Sequence, residues 1–262
     1  MSAIIVDDDI VHYEVLGRGR PLIFVHGWLG SWRYWIPTMQ ALSLEFRTYA
    51  LDLWGFGDTA KRRTHYSLEA QAELLRGFME RLAILKAAFV GHGLGAAAVA
   101  HFAGRYPELI DRAMGVAAPL TREAINARLL GTPLATLIES FIGKGPAVDP
   151  ISREAAKTDI NAVEISVRML MDNELKLAME KLTLPYLLVY GEKDSLITKP
   201  EDGLMNYLTN NVHSVELEDS RHFPMLDEAA TFNRLLVDFL ALKSGETIKN
   251  LELKEEWRRR VR

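Results

Sequence analysis

The sequence predicts an α/β fold, a mostly parallel sheet covered by helices on both faces. Three observations carry this. Short continuous apolar runs at residues 22–25, 87–90 and 186–190 alternate with longer segments of helical periodicity, and strands buried on both faces read as unbroken apolar runs. The run at 87–90 leads through Gly91-His92-Gly93-Leu94-Gly95 into an alanine-rich stretch that reaches Tyr106. That is the pattern of a strand, a sharp turn and a helix lying close on a sheet. The strand rhythm lapses once, over residues 119–182, and then resumes, as an insertion into a strand–helix alternation does.

In chain order, residues 3–6 and 10–16 alternate in polarity around Asp7-Asp8-Asp9 and predict two antiparallel strands joined by a tight turn. Residues 17–21 form a loop, and the strand 22–25 ends in His26-Gly27-Trp28-Leu29-Gly30. Apolar spacing predicts a helix over 32–44, a strand over 48–53 broken by Gly55 and Gly57, and a long amphipathic helix over 68–85. Tyr106-Pro107-Glu108 stops the alanine-rich helix, and 112–117 is the next strand. Within 119–182 the pattern becomes short helical segments, broken at 131–133 and 143–150; at about 60 residues this is close to the smallest size of a domain. A strand at 186–190, a helix near 201–208, a strand at 212–217 and a helix over 228–242 follow. The chain ends Trp257-Arg258-Arg259-Arg260-Val261-Arg262. A solvated helix is the plain expectation there, and a contact with an acidic partner or membrane surface the sharper one.

Composition narrows the function classes. The 262 residues suffice for one large core and one small insertion. A net charge of −4 gives no global attraction for nucleic acid. The absence of cysteine excludes disulfides, thiolate metal sites and a cysteine nucleophile. No tight cluster of metal ligands is present in the sequence, so neither a metal nor another cofactor is expected. No apolar run approaches the roughly 18 residues of a membrane span. The acidic N-terminal segment is unlike a secretory leader. A cytoplasmic protein is the expectation.

Gly91-His92-Gly93-Leu94-Gly95 resembles the nucleophile elbow G-x-S-x-G, with glycine where the serine stands. Four more segments match landmarks in the same order. His26-Gly27-Trp28-Leu29-Gly30 resembles an H-G-x-x-G loop after a third strand, and Asp52-Leu53-Trp54-Gly55-Phe56-Gly57 a D-x-x-G-x-G loop after a fourth. Gly191-Glu192-Lys193-Asp194 resembles the G-x-x-D that carries a triad acid after the seventh strand. Ser220-Arg221-His222-Phe223-Pro224 resembles the loop that carries the triad histidine. Together, over nearly the whole chain, these segments resemble the α/β-hydrolase superfamily. They are most similar to its small cofactor-free members, such as esterases, C–C bond hydrolases and epoxide hydrolases. The resemblance implies an eight-stranded, mostly parallel sheet with a core at 1–118 and 183–244, a helical cap at 119–182 and a C-terminal extension at 245–262.

The same resemblance assigns roles. His222 takes the nucleophile's proton and Asp194 holds its tautomer. The backbone N–H groups of Trp28 and Leu94 face a developing oxyanion. Gly93 occupies the position of the missing nucleophile, so acylation there is impossible. Residues 116–118 hold no carboxylate, which leaves Asp194 as the candidate acid. Trp28 and Trp54 are expected to line a pocket for an apolar or aromatic small molecule. No substitute nucleophile is apparent: His92 is expected to point away from the pocket as a packed core residue, Ser31 and Ser220 lie off the attack position, and His26 and His101 are read as structural. Gly91-x-Gly93-x-x-Ala96 also satisfies a dinucleotide fingerprint. Against that, the next strand ends in Ala117-Ala118 with no acidic residue to hold a ribose. Three functions stay open. One is an inactive or severely impaired esterase-like hydrolase. Another is an enzyme whose Asp194–His222 dyad activates water directly. The third is a pseudoenzyme that binds a small apolar ligand or a protein partner.

Overall fold

The computed structural model of the protein describes residues 2–142, 149–243 and Leu251. Strands β1 (Ser2–Val6), β2 (Asp9–Gly17), β3 (Arg20–Val25), β4 (Phe46–Leu51), β5 (Ala87–His92), β6 (Ile110–Val116), β7 (Tyr186–Gly191) and β8 (Val212–Leu217) form one sheet, in the order β1-β2-β4-β3-β5-β6-β7-β8. β2 is antiparallel to both β1 and β4, and β3 through β8 run parallel. Val6 pairs with Asp9, so Asp7 and Asp8 are a two-residue hairpin loop, both with positive φ (47° and 64°). Aspartate tolerates that region better than most residues. Every residue of β5 and of β7 is buried, as their apolar runs require.

Helices cover both faces of the sheet. The helical pattern at 32–44 divides in two: a 3-10 turn at Trp32–Trp35 and then α1 (Ile36–Leu42). Pro37 explains the break, because it has no N–H to donate and sits best in a helix's first turn. α2 (Leu68–Arg81) stops short of the expected residue 85. Ala83 turns left-handed (φ 52°) and Ile84 N–H closes on the Met79 carbonyl at 2.8 Å, a helix-ending motif that here forms without glycine. In α3 (Leu94–Arg105) residues 94–100, Phe102 and Ala103 are all buried. Its small side chains allow a close approach to the sheet, and Tyr186 of β7 donates to the Ala96 carbonyl at 3.0 Å.

Between β6 and β7 lie α4 (Leu134–Leu137), α5 (Asp149–Ala155), α6 (Ile160–Asp172) and α7 (Lys176–Met179), together with short 3-10 and π turns. The rest of the core follows as α8 (Asp202–Met205), α9 (Pro224–Asp227) and α10 (Ala229–Leu240), the last packed with α1. Residues 143–148, part of an expected break, and the arginine-rich end at 252–262 lie outside the described residues. No helix among the described residues is long and apolar enough to cross a membrane.

The inserted helices are fastened to the loops at the carboxyl ends of the strands. Asp159 N–H donates to the Gly55 carbonyl at 2.8 Å, and Tyr66 Oη donates to Asp159 Oδ2 at 2.7 Å. Lys157 pairs with Asp58 at 3.0 Å and Arg33 with Glu154 at 3.1 Å. The buried link is Trp28 Nε1 to Ser166 Oγ on α6, at 2.9 Å; that hydroxyl donates in turn to the Ala162 carbonyl at 2.6 Å. Ser166→Ala strands a buried indole N–H, a cost of about 1–3 kcal/mol. A thermal melt is expected to show Tm lowered by roughly 2–10 °C, and an unchanged Tm would mean the link carries no net stability.

Candidate active site

Four loops meet at the carboxyl ends of β3, β5, β7 and β8, where open α/β sheets place their ligands. The register Val25↔Gly91 sets the ends of β3 and β5 level, and Gly191↔Leu217 does the same for β7 and β8.

At the end of β5 the chain turns through Gly93 with φ 50° and ψ −112° and enters α3 at once. Its N–H is held by the Val116 carbonyl at 2.8 Å. This backbone conformation is costly for any residue with a side chain, and glycine relieves it. Space is not the constraint. A Cβ placed on Gly93 would lie 3.4 Å from Trp28 Cε3 and 3.6 Å from Gly27 Cα, which is ordinary contact.

At the end of β7 the residues Gly191 to Asp194 turn back, with Asp194 N–H bonded to the Gly191 carbonyl at 3.2 Å. Gly191 is required there by closeness: a Cβ on it would lie 2.2 Å from the Arg221 carbonyl oxygen. That approach brings the two loops together. Asp194 Oδ1 accepts from the N–H groups of Leu196 (2.8 Å) and Ile197 (3.1 Å), and Oδ2 faces His222 Nδ1 at 2.9 Å. Both side chains are buried. A carboxylate only accepts, so Nδ1 carries the proton and Nε2 is left as an acceptor. His222 Nε2 is buried and has no partner among the described residues. The loop that bears it is clamped by Ser220 Oγ donating to Glu228 (2.7 Å) and by Arg221 pairing with Asp227 (2.9 Å). Ser31 is likewise used locally, accepting from Arg33 N–H at 3.3 Å.

The loop after β3 is held from several sides. His26 Nδ1–H donates to the Gly27 carbonyl at 2.8 Å, and Nε2 accepts from Leu53 N–H at 2.9 Å. This ties the loop after β3 to the loop after β4, a scaffold role. Leu29 takes a positive φ of 59°. None of the hydrogen bonds among the described residues uses the N–H of Trp28 or of Leu94. Both tryptophans singled out from the sequence are buried. Trp28 lies against Gly93 and is bonded to Ser166, whereas Trp54 packs on His65 (5.1 Å between centroids) with its N–H and C=O both bonded to Gln71. Gly93, Trp28 and Leu94 are thus brought together, and so are Asp194 and His222; Trp54 has its own neighbours.

Two residues that sequence reasoning passed over matter here. Ser166 holds Trp28 from a helix 138 residues away, with no local signature to reveal it. Tyr34, counted only as part of a helical pattern, accepts from Gly27 N–H at 2.7 Å and bonds His92 Nδ1 at 2.8 Å. His92 is fully buried.

Burial also shapes the charges beneath the site. It pushes His26 down to about 4 and His92 well below the ordinary histidine value, the latter with a further contribution from His222. It pushes Asp52, which accepts from Trp32 and Asp58 N–H groups at 2.8 and 3.0 Å, up to about 7. The 3.8 Å approach of His26 Nε2 to Asp52 is therefore not an ion pair, since Nε2 already accepts from Leu53. The consequences for stability oppose one another. On acidification from about 6.5 to 4 the unfolded chain protonates both histidines and the folded chain does not, so stability is lost. Asp52 works the other way, because the folded chain takes its proton first as pH falls from about 7. Two histidines outweigh one carboxylate. The urea midpoint is expected to fall between pH 6.5 and 4.5, and to fall more steeply in Asp52→Asn; a shallower fall in that variant would contradict the assignment.

Residues 20–141 match the family model described as alpha/beta hydrolase fold. The pimeloyl-[acyl-carrier protein] methyl ester esterase of Vibrio cholerae serotype O1 is 26% identical over 253 residues, covering 87% of this chain and 97% of that protein. Among solved structures, the enol-lactonase from Burkholderia xenovorans LB400 superposes with a TM-score of 0.80 at 20% identity, covering 92% of this chain and 100% of that one. A serine-to-glycine mutant of the N-acyl homoserine lactonase AidH, complexed with N-hexanoyl homoserine lactone, superposes with a TM-score of 0.80 at 21% identity, covering 91% of this chain and 96% of that one. With its eight-stranded, mostly parallel sheet and these likenesses, the chain has the α/β-hydrolase fold.

Proposed function

We propose that this chain is an esterase-like hydrolase framework that keeps its base and its oxyanion donors and lacks its covalent nucleophile. The observation that carries this is the state of His222. Asp194 holds its Nδ1 side at 2.9 Å, while Nε2 is buried with no partner among the described residues. A histidine so oriented is a general base with nothing to deprotonate. Gly93 is at the turn where the nucleophile belongs, and the N–H groups of Trp28 and Leu94 are the oxyanion donors. The helices between β6 and β7 act as a cap over a small, largely apolar carbonyl ligand, an ester or a related compound. The methyl ester esterases among the relatives support this substrate class.

Without an acyl-enzyme, turnover is severely impaired. Loss of the nucleophile from such a triad costs on the order of 10⁶ in turnover. Roughly 10³–10⁴ over water remains from the oxyanion donors and binding. The unpartnered Nε2 also favours a second reading, in which a water bound there is deprotonated by His222 and attacks the carbonyl directly. Steady-state assay of the chain and of Gly93→Ser on a panel of activated esters tests the proposal. A large gain with serine supports the missing-nucleophile reading, and a His222-dependent rate already present in the chain supports the water route. With neither, and with ligand binding intact, the protein is a non-catalytic binder.

A further inference from the structure

Two loops must keep a fixed distance for this site to work: the one bearing the Trp28 N–H and the one bearing His222. They come from opposite sides of β5, and a single file of hydrogen bonds joins them through that strand's last residue. Gly27 N–H donates to Tyr34 Oη at 2.7 Å, and Tyr34 Oη bonds His92 Nδ1 at 2.8 Å. His92 Nε2 in turn bonds the His222 main-chain carbonyl at 2.8 Å.

The proton positions follow from chemistry. The His222 carbonyl can only accept, so His92 Nε2 carries the proton and Nδ1 accepts from the Tyr34 hydroxyl. That hydroxyl is then free to accept from Gly27. Each group in the file donates once to the next, from the Gly27 N–H to the His222 carbonyl. The rings pack as well: His92 lies 4.5 Å from the His222 ring and 5.1 Å from Phe223, and Tyr34 lies 5.6 Å from Phe223. The H-G-x-x-G loop is shaped around the same pair. A Cβ on Gly27 would lie 2.9 Å from His92 Nδ1, and one on Gly30 would lie 2.5 Å from Tyr34 Cε1. Both glycines leave room for the two side chains that the file needs.

We propose that Tyr34 and His92 are positioning residues that lock the oxyanion loop to the histidine loop, with His92 held as the neutral Nε2–H tautomer. Neither touches the substrate. Their catalytic meaning rests on the function proposed above, but the lock itself is a property of the chain as it stands.

The test therefore has two arms. In the chain with Gly93 in place, amide hydrogen exchange at Gly27 and the imidazole nitrogen resonances of His92 and His222 are compared with those of Tyr34→Phe. Gly27 exchange is expected to quicken by about tenfold or more and the His222 ring resonances to shift. In the Gly93→Ser background, Tyr34→Phe is expected to lower kcat on the order of 10–100-fold, as misplacement by about 1 Å does, with KM held within about twofold. His92→Gln keeps an amide N–H for the His222 carbonyl, so its kcat is expected to stay well above that of His92→Phe. That pair also reads the lock should Tyr34→Phe fold poorly. Unchanged Gly27 exchange and unchanged His222 resonances in folded Tyr34→Phe overturn the proposal. An inert Gly93→Ser chain whose Tyr34→Phe counterpart still shows the exchange effect overturns the esterase reading alone.

Discussion

Gly93→Ser is expected to raise turnover of activated esters by on the order of 10³-fold or more, within the roughly 10⁶ that a triad nucleophile is worth. The turn already has room for the side chain, since a Cβ at position 93 makes contacts of 3.4–3.6 Å with Trp28 and Gly27. The proposed base, His222, has Asp194 on Nδ1 and no partner for Nε2 among the described residues. The proposed backbone donors, the N–H groups of Trp28 and Leu94, do not depend on side-chain identity. The cost falls on stability instead. At φ 50° and ψ −112° a side chain introduces strain of about 1–3 kcal/mol, so the variant is expected to melt below the parent while turning over faster. A rise in activity with a fall in Tm is the combined signature. A stable, folded variant with no gain would show that the four loops are not arranged for acyl transfer.

The second large effect concerns the dyad in that background. His222→Ala is expected to return turnover to the level of the Gly93 chain, a loss comparable to removing the nucleophile itself. Asp194→Asn is expected to cost on the order of 10⁴, and the structure gives the reason. The Oδ1 atom of Asp194 is fixed by the N–H groups of Leu196 and Ile197, so an amide in its place keeps its oxygen there. Its NH₂ then points at His222 Nδ1, which must become the acceptor. The proton moves to Nε2, the side that has to take one from the nucleophile. Rate measurements on purified variants check this, and a loss of less than about tenfold for Asp194→Asn would contradict the assignment of the acid.

Much of the architecture was legible because it rests on short-range signals. The strand at 212–217 falls where apolar alternation places it, and the turn at Gly93 follows from a strand run meeting glycines and an alanine-rich helix. Asp194 and His222 lie 28 residues apart and were each marked by a local motif. What was hidden is what acts at a distance or through backbone geometry. No periodicity announces that Ser166 caps the indole of Trp28, or that Tyr34 reaches His92 across 58 residues. His92 was expected to be inert packing. It is fully buried, yet both ring nitrogens are engaged in joining two loops. Helix ends were misplaced for similar reasons. Ala83 closes α2 in a left-handed conformation more usual for glycine, and Pro37 moves the start of α1 past the tryptophans.

We propose that this site is a serine-hydrolase framework complete but for one side chain. Intact-mass analysis after fluorophosphonate treatment tests it most directly, because the reagent requires a nucleophile, a base and oxyanion donors in register, and no particular substrate fit. One adduct is expected on Gly93→Ser, mapped to position 93, with none on the parent chain and none when His222→Ala is added. A folded Gly93→Ser chain that takes up no adduct, or one labelled equally well without His222, would contradict the account.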